Sequence, residues 1–244
     1  MARPKVFIGL PTADGIVLAG TTASLARMTA RLSGRGIATE FATVDGLDIV
    51  GQHNRLVEAF LRSDCTHLLF VDSDMEFGAD LCERLLAGRH PVAGTVYPKR
   101  RLDLARLERF AADRPFDHAL ALAYEWNVHL LPEGVRVEDG WCRVAALPGG
   151  FVLIERRCFE QLEAAGDAGA APGGGPRAFY RELREGLAIY DLDYSFCLRW
   201  RAVGGEVWAY AAAEIRHVGD SRVGPPFGVV LGALGRKAQR AVPA

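Results

Sequence analysis

Apolar residues along the first hundred or so positions recur with two alternating periods. Lys5–Leu10 carries a continuous apolar run bounded by Pro11 and Gly15, the pattern of a buried parallel strand. Thr21–Ser33 places Leu25, Met28 and Leu32 three and four apart, a helical stripe stopped by Gly34 and Gly36. Ile37–Val44 reads as a second strand and Gln52–Arg62 as a second helix, with Leu56 beside Phe60 and Val57 beside Leu61. Thr66–Val71 is a third strand, Asp80–Ala87 a helix closed by Gly88, and Pro91–Val96 a fourth strand. Strands separated by helices in this way predict an α/β fold, with a Rossmann-type, mostly parallel sheet and right-handed crossovers.

The pattern loosens afterwards. Leu102–Ala112 reads as a charged helix, and the stretch to Leu147 as strand-like and irregular, with a turn at Pro132-Glu133-Gly134. Gly149-Gly150 precedes a short strand, Phe151–Ile154, and a helix from about Arg157 to Ala164. Gly166–Pro176, rich in Gly, Ala and Pro, is expected to be a mobile loop that orders over a ligand. Asp193–Val203 is helical and Glu206–Tyr210 a strand. The expected organisation is a single domain over 1–244. Its nucleotide-binding half covers about 1–100, an acceptor and catalytic half about 101–223, and a flexible basic tail 224–244. That tail also carries Val229, Val230, Leu231 and Leu234, which leaves peripheral contact with an anionic membrane open beside a solvated terminus.

Composition narrows the class without naming it. Hydrophobic residues make up 50% of the chain and charged residues 24%, which suits a cored globular protein. Lys plus Arg is 29 against 30 for Asp plus Glu, so nothing draws the chain to nucleic acid as a whole. The apolar runs are too short for a membrane helix, and Val6–Leu10, broken by Pro11 and Asp14, is too short for a signal peptide. Five dispersed cysteines without a CxxC pair read as reduced, mostly buried thiols of a cytoplasmic protein rather than zinc ligands.

The most informative segment is Leu68-Leu69-Phe70-Val71-Asp72-Ser73-Asp74. Two carboxylates one residue apart, at the carboxyl end of a buried strand, face the crevice where α/β sheets bind ligands. There they can hold a hard divalent cation, which neutralises a diphosphate, or simply make an acidic turn before the next helix. Haloacid-dehalogenase-like phosphatases have Asp-x-Asp on their first strand; here the strand is third and Glu76 stands where that family has Thr or Val.

Further segments fall into the same order and spacing as in one family. Gln52-His53-Asn54-Arg55 resembles the opening of the helix before the Asp-x-Asp strand, and Pro148-Gly149-Gly150-Phe151-Val152-Leu153-Ile154-Glu155-Arg156 a segment near donor sugar and acceptor. Leu192-Asp193-Tyr194-Ser195-Phe196-Cys197-Leu198-Arg199 resembles a Glu-Asp-x-x-Phe-Cys-x-Arg segment, followed by Gly204-Gly205-Glu206-Val207-Trp208 and Ile215-Arg216-His217-Val218-Gly219. Over about residues 4 to 220 the chain resembles family 2-like nucleotide-sugar glycosyltransferases of the GT-A type. Leu192 stands where the family has Glu. Arg199-Trp200 lacks the Gln that precedes it in processive synthases, so transfer of one sugar at a time is expected.

The resemblance implies roles residue by residue. Pro11, Thr12 and Asp14 would grip the nucleotide base; Asn54 and Arg55 would approach the nucleotide. Asp72 would face the ribose or metal, Ser73 and Lys99 the donor, and Gly149 and Gly150 the sugar. Asp74 and His217 would hold Mn²⁺ or Mg²⁺. Asp193, or else Asp191, would be the base of an inverting displacement, kept ionised at a helix N-terminus. The partners implied are a nucleotide-diphosphate sugar and an acceptor hydroxyl on a glycan, lipid or protein. A retaining GT-A enzyme, a phosphohydrolase working through Asp72 and a non-catalytic nucleotide-sugar-binding protein remain open alternatives. His53, His67, His90, His118 and His129 show no ligand spacing and are expected to be structural or at the surface.

Overall fold

The computed structural model of the chain describes residues 3–169, 177–219, 222–223 and 227–233. Its first half runs β1 (Lys5–Pro11), α1 (Ala19–Gly34), β2 (Ala38–Val44), α2 (Ile49–Arg62), β3 (His67–Val71), β4 (Met75–Phe77), α3 (Leu81–Gly88) and β5 (Val92–Gly94). Then come β6 (Pro98–Leu102), α4 (Leu104–Ala111), α5 (Phe116–Ala123), β7 (Tyr124–Trp126), β8 (Val137–Glu138), β9 (Trp141–Val144), β10 (Phe151–Glu155) and α6 (Arg156–Ala164). The chain continues through β11 (Leu183–Glu185), β12 (Ala188–Tyr190), α7 (Leu192–Ala202), β13 (Val207–Tyr210), β14 (Ile215–Val218), β15 (Arg222–Val223) and α8 (Phe227–Ala233).

The central sheet has eight strands in the order β2-β1-β3-β10-β5-β13-β9-β8. β2 and β3 lie parallel to β1, and β13 parallel to β5. β10 runs antiparallel between β3 and β5, and β9 antiparallel between β13 and β8. The sheet is therefore mostly parallel, as the alternation of elements implies. The fourth expected strand is not beside the third, however. Phe151–Ile154 is a fully buried apolar run, and only a central position satisfies such a strand on both faces.

Alternation along β1 divides the core. Val6, Ile8 and Leu10 pack with Leu25, Met28 and Leu32 of α1 and Leu81 and Leu85 of α3. Phe7 points to the other face, among Leu56, Val57 and Phe60 of α2, Phe159 of α6, and Phe196 and Trp200 of α7. Small antiparallel pairings outside this sheet, β6 with β7 and β14 with β4 and β15, surround its carboxyl end.

Two stretches differ from the sequence reading. Phe116–Ala123 is a helix rather than irregular strand: Pro115 precedes its first turn, and Ala119, Ala121, Leu122 and Ala123 are buried. Phe227–Ala233, expected within a flexible tail, forms α8 against α5, with Phe227, Val230 and Leu231 buried. Val230 and Leu231 thus pack into the core; the basic residues after 233 lie outside the described residues. So does most of the expected loop, since 170–176 is not described. Its flanks are joined by the Ala178 N–H donating to the Gly169 carbonyl at 3.2 Å. All five cysteines are free and buried. Among the described residues no helix is long and apolar enough to cross a membrane.

Candidate active site

Parallel neighbours bring the carboxyl ends of β1 and β3 side by side, and a cleft of about 990 Å³ opens there. Pro11, Thr12, Ala13 and Asp14 form one wall, with Leu47, Ile49 and Gln52 from the start of α2. Asp72, Ser73 and Asp74 form the floor, and Lys99, Arg100, Arg101, Asn127 and His217 close the other side. Thr12 is locked to β2, its N–H and hydroxyl both donating to the Val44 carbonyl, at 3.0 and 3.2 Å. Asp14 turns the chain away at φ 56°, a left-handed conformation that Asp tolerates better than most residues.

Asp74 and His217 meet through pairing of short strands. His217 in β14 lies opposite Met75 in β4, and the Val218 N–H donates to the Asp74 carbonyl at 2.8 Å. Nε2 of His217 is 3.5 Å from Oδ2 of Asp74, and the Arg100 guanidinium forms an ion pair with the same oxygen. Two ligand atoms about 2.1 Å from one cation and at right angles lie roughly 3 Å apart. Asp74 and His217 are therefore spaced as two ligands of one hard cation would be, and Arg100 supplies positive charge to the same carboxylate oxygen. Burial, then Arg100, push the His217 imidazole towards its neutral, ligating form. Asp72 does not join them as a third close ligand: among the described residues, the group with three donor atoms mutually within 4.8 Å is Glu40, Asp64 and Cys65. That group, which could hold a metal, lies at the opposite end of the strands, and Lys5 forms ion pairs with both of its carboxylates.

Asp72 turns instead towards Gly149-Gly150. Its N–H donates to the Gly150 carbonyl at 3.1 Å, and the Gly150 N–H donates to the Tyr97 hydroxyl at 2.8 Å. The Gly149 N–H donates to Oδ2 of Asp193 at 2.9 Å. Both glycines are closely approached: a Cβ on Gly149 would lie 2.4 Å from Asp193 Oδ1, and one on Gly150 2.3 Å from the Tyr97 hydroxyl, so those side chains would have to shift. Burial, and then the charge of Asp193, push the Asp72 carboxyl up to about 6.

The structure separates the two candidate bases. Asp191 is the exposed N-cap of α7, accepting the Tyr194 N–H at 3.2 Å. Asp193, in the first turn, points inward, and burial followed by the charge of Asp191 pushes its carboxyl up to about 7. The helix N-terminus favours the ionised form of this carboxyl, as does the Gly149 hydrogen bond, whereas its burial favours the protonated one.

Of the other expected residues, Pro11, Thr12, Asp14, Ser73 and Lys99 line the cleft, Lys99 being paired with Glu125. Asn54 does not: its amide donates to the Tyr180 carbonyl and accepts the Tyr180 N–H, both at 2.8 Å. Arg55 is exposed and outside the cleft lining. The helical turn of about 100° per residue explains the sorting. Gln52 faces the cleft, His53 faces Asp193 at 4.0 Å, Asn54 holds Tyr180, and Arg55 faces solvent. Sequence reasoning did not single out Gln52 for the cleft or His53, read as structural or at the surface, for a place beside Asp193. Their signal was present: polar side chains at 52 and 53 continue, four residues earlier, the apolar stripe of Leu56 and Val57.

The chain matches no protein-family model, and no curated protein matches it in sequence. Solved structures share its fold. A197 from STIV superposes with a TM-score of 0.50 at 15% identity, covering 92% of this chain and 91% of A197. Drosophila beta-1,4-galactosyltransferase 7, in complex with manganese, UDP-Gal and xylobiose, gives 0.46 at 15% identity over 89% of this chain and 71% of that one. UDP-glucose pyrophosphorylase complexed with UDP-glucose gives 0.45 at 9% identity over 98% and 100%. The class defined here is one of architecture: a mixed α/β protein with a large, mostly parallel central sheet flanked by helices, a fold it shares with A197.

Proposed function

We propose that this chain is a metal-dependent glycosyltransferase that moves one sugar from a nucleotide-diphosphate sugar to an acceptor hydroxyl with inversion. The observation that carries the reading is the dipeptide Gly149-Gly150. Its Gly150 carbonyl holds the backbone of Asp72, at the floor of a cleft with one cationic side, and its Gly149 N–H holds Asp193, a half-buried carboxylate.

Leu47 and Ile49 offer apolar surface to a nucleobase, and Lys99, Arg100 and Arg101 offer positive charge to its diphosphate. Asp74 and His217 would hold Mn²⁺ or Mg²⁺, which supplies a Lewis acid to the leaving diphosphate. Asp72 faces the sugar and ribose side. Asp193 removes the acceptor proton as the hydroxyl oxygen attacks the anomeric carbon and the bond to the diphosphate breaks. A carboxyl that titrates near pH 7 suits a general base, being ionised often enough to accept the proton and basic enough to hold it.

The test is a thermal-shift screen of nucleoside diphosphates with and without Mn²⁺. A ligand at a hundredfold excess over its Kd adds about 2.7 kcal/mol of stability. Stabilisation that appears only with Mn²⁺ supports the reading, and its absence across all bases sinks it. Phosphate release from simple phosphoesters would turn the assignment to a hydrolase acting through Asp72.

A further inference from the structure

Two buried polar atoms face each other behind the cleft without a hydrogen-bond partner. Nε2 of His53 and Oδ1 of Asp193 are 4.0 Å apart, and neither is hydrogen-bonded. The other half of each side chain is already committed. Nδ1 of His53 lies 2.9 Å from the Ile49 carbonyl, and Oδ2 of Asp193 accepts the Gly149 N–H. A carbonyl oxygen can only accept, so Nδ1 carries the ring proton and Nε2 presents a lone pair. The ring is clamped by Phe70 and Tyr180, with centroids at 4.6 and 4.9 Å, and cannot swing aside.

A lone pair aimed at an ionised carboxylate repels it, whereas one aimed at a carboxyl O–H holds it. We propose that His53 is a positioning residue for Asp193: the proton that the carboxylate takes from the acceptor comes to rest on Oδ1 and is donated to Nε2 of His53. The acceptor O–H bond breaks, its electron pair goes to the forming bond with the sugar, and the proton stays within the pair. The inference deepens the reading of Asp193 as the base and rests on that reading for its place in the reaction. The one-proton pairing itself does not depend on it.

The surroundings favour a neutral pair. Burial lowers the affinity of His53 for a second proton, while Asp72 opposes this. Asp193 is faced by Asp191 on its own helix and by Asp72 after β3. Tyr97, Tyr180, Tyr194 and Cys197 also face it, and burial keeps these phenols and the thiol neutral.

The experiment is a pH titration of the free protein by carboxyl ¹³C NMR, comparing wild type with His53→Phe, which keeps a ring and removes both nitrogens. Loss of the acceptor for the protonated form should lower the Asp193 midpoint by about one pH unit. An unchanged midpoint overturns the proposal. Should the buried ring not tolerate replacement, the ¹⁵N resonance of His53 Nε2 serves in its stead. It should move as Asp193 titrates and lose that step in Asp193→Asn; a resonance that ignores the Asp193 titration also overturns the proposal. Neither readout needs donor, acceptor or turnover, so this pairing and the glycosyltransferase reading can fail separately.

Discussion

Asp72 and Asp193 are tied to the same dipeptide, Asp72 through the Gly150 carbonyl and Asp193 through the Gly149 N–H. Two glycines thus link them, and the side chains of Asp193, Tyr97 and Asp72 crowd against these glycines. Gly149→Ala would drive a Cβ into the Asp193 carboxylate, 2.4 Å from Oδ1. Overpacking of this kind costs about 1–3 kcal/mol. We expect a lower Tm together with a fall in turnover larger than any loss of nucleotide binding. Wild-type turnover in Gly149→Ala would show that the carboxylate has no fixed role.

Asp191 and Asp193 should respond differently to substitution. Asp193→Asn keeps the shape but cannot accept a proton, and turnover should fall roughly 10²–10⁴-fold with donor affinity nearly unchanged. Asp191→Ala removes a helix cap and should cost about 1 kcal/mol in denaturant melts with a much smaller effect on turnover. If Asp193→Asn and Asp191→Ala both turn over normally, a retaining mechanism without a base takes the place of the inverting one.

The raised carboxyl of Asp193 gives stability a definite pH dependence. Its folded-state value is about 7 against an ordinary 3.8, so the folded protein binds more protons than the unfolded chain between those limits. Stability conferred by the protonated form is present below pH 4 and is lost as pH rises towards 7. Asp193→Asn should therefore become progressively more stable than wild type from pH 4 to pH 7, and level off above. Turnover should move oppositely, rising through about pH 7 as the base ionises. Thermal melts and a kcat profile over the same buffers check both signs.

A divalent cation held by Asp74, as proposed, would have to compete with Arg100. Asp74→Ala should abolish Mn²⁺-dependent nucleotide binding, and His217→Ala should weaken it. Arg100→Ala should strengthen binding of Mn²⁺ alone, because no guanidinium has to leave. Arg100 is half exposed, and exposed ion pairs contribute about 0.2–1 kcal/mol, so the gain should not exceed about fivefold. Titration of free Mn²⁺ by electron paramagnetic resonance measures this without nucleotide. A weaker Mn²⁺ affinity in Arg100→Ala would contradict the competition.

Asn54 should matter to folding rather than to ligands. Its amide satisfies both backbone groups of Tyr180, and Asn54→Ala leaves that buried N–H and C=O unpaired. The cost should be about 1–3 kcal/mol for each unpaired group. Nucleotide affinity of the folded fraction should stay unchanged. Reduced affinity at full stability would place Asn54 at the nucleotide after all.

The elements read from periodicity are those whose pattern comes from neighbours in the chain. β1, α1, β2, α2 and β3 show it because each buries one face or both against a single extended layer, and a period of two or 3.6 records that directly. Asp72, Asp74 and the cleft wall at Pro11 and Thr12 were legible for the same reason, since parallel strands bring their carboxyl ends together. α5 was not legible, because its short apolar run is buried by α8 from the far end of the chain and has no clear stripe of its own.

The sequence by itself determined that Tyr190-Asp191-Leu192-Asp193 puts two carboxylates at the start of a helix, and that glycines precede the strand Phe151–Glu155. It could not decide which carboxylate turns inward. That depended on β10 entering between β3 and β5, which carries Gly149-Gly150 to the carboxyl end of β3 and under the first turn of α7. There Asp193 is partly desolvated, its Oδ1 buried beside His53, whereas Asp191, two residues earlier on the same chain, stays in solvent and caps the helix. Desolvation is a property of the assembled neighbours, and those neighbours are far apart in the chain.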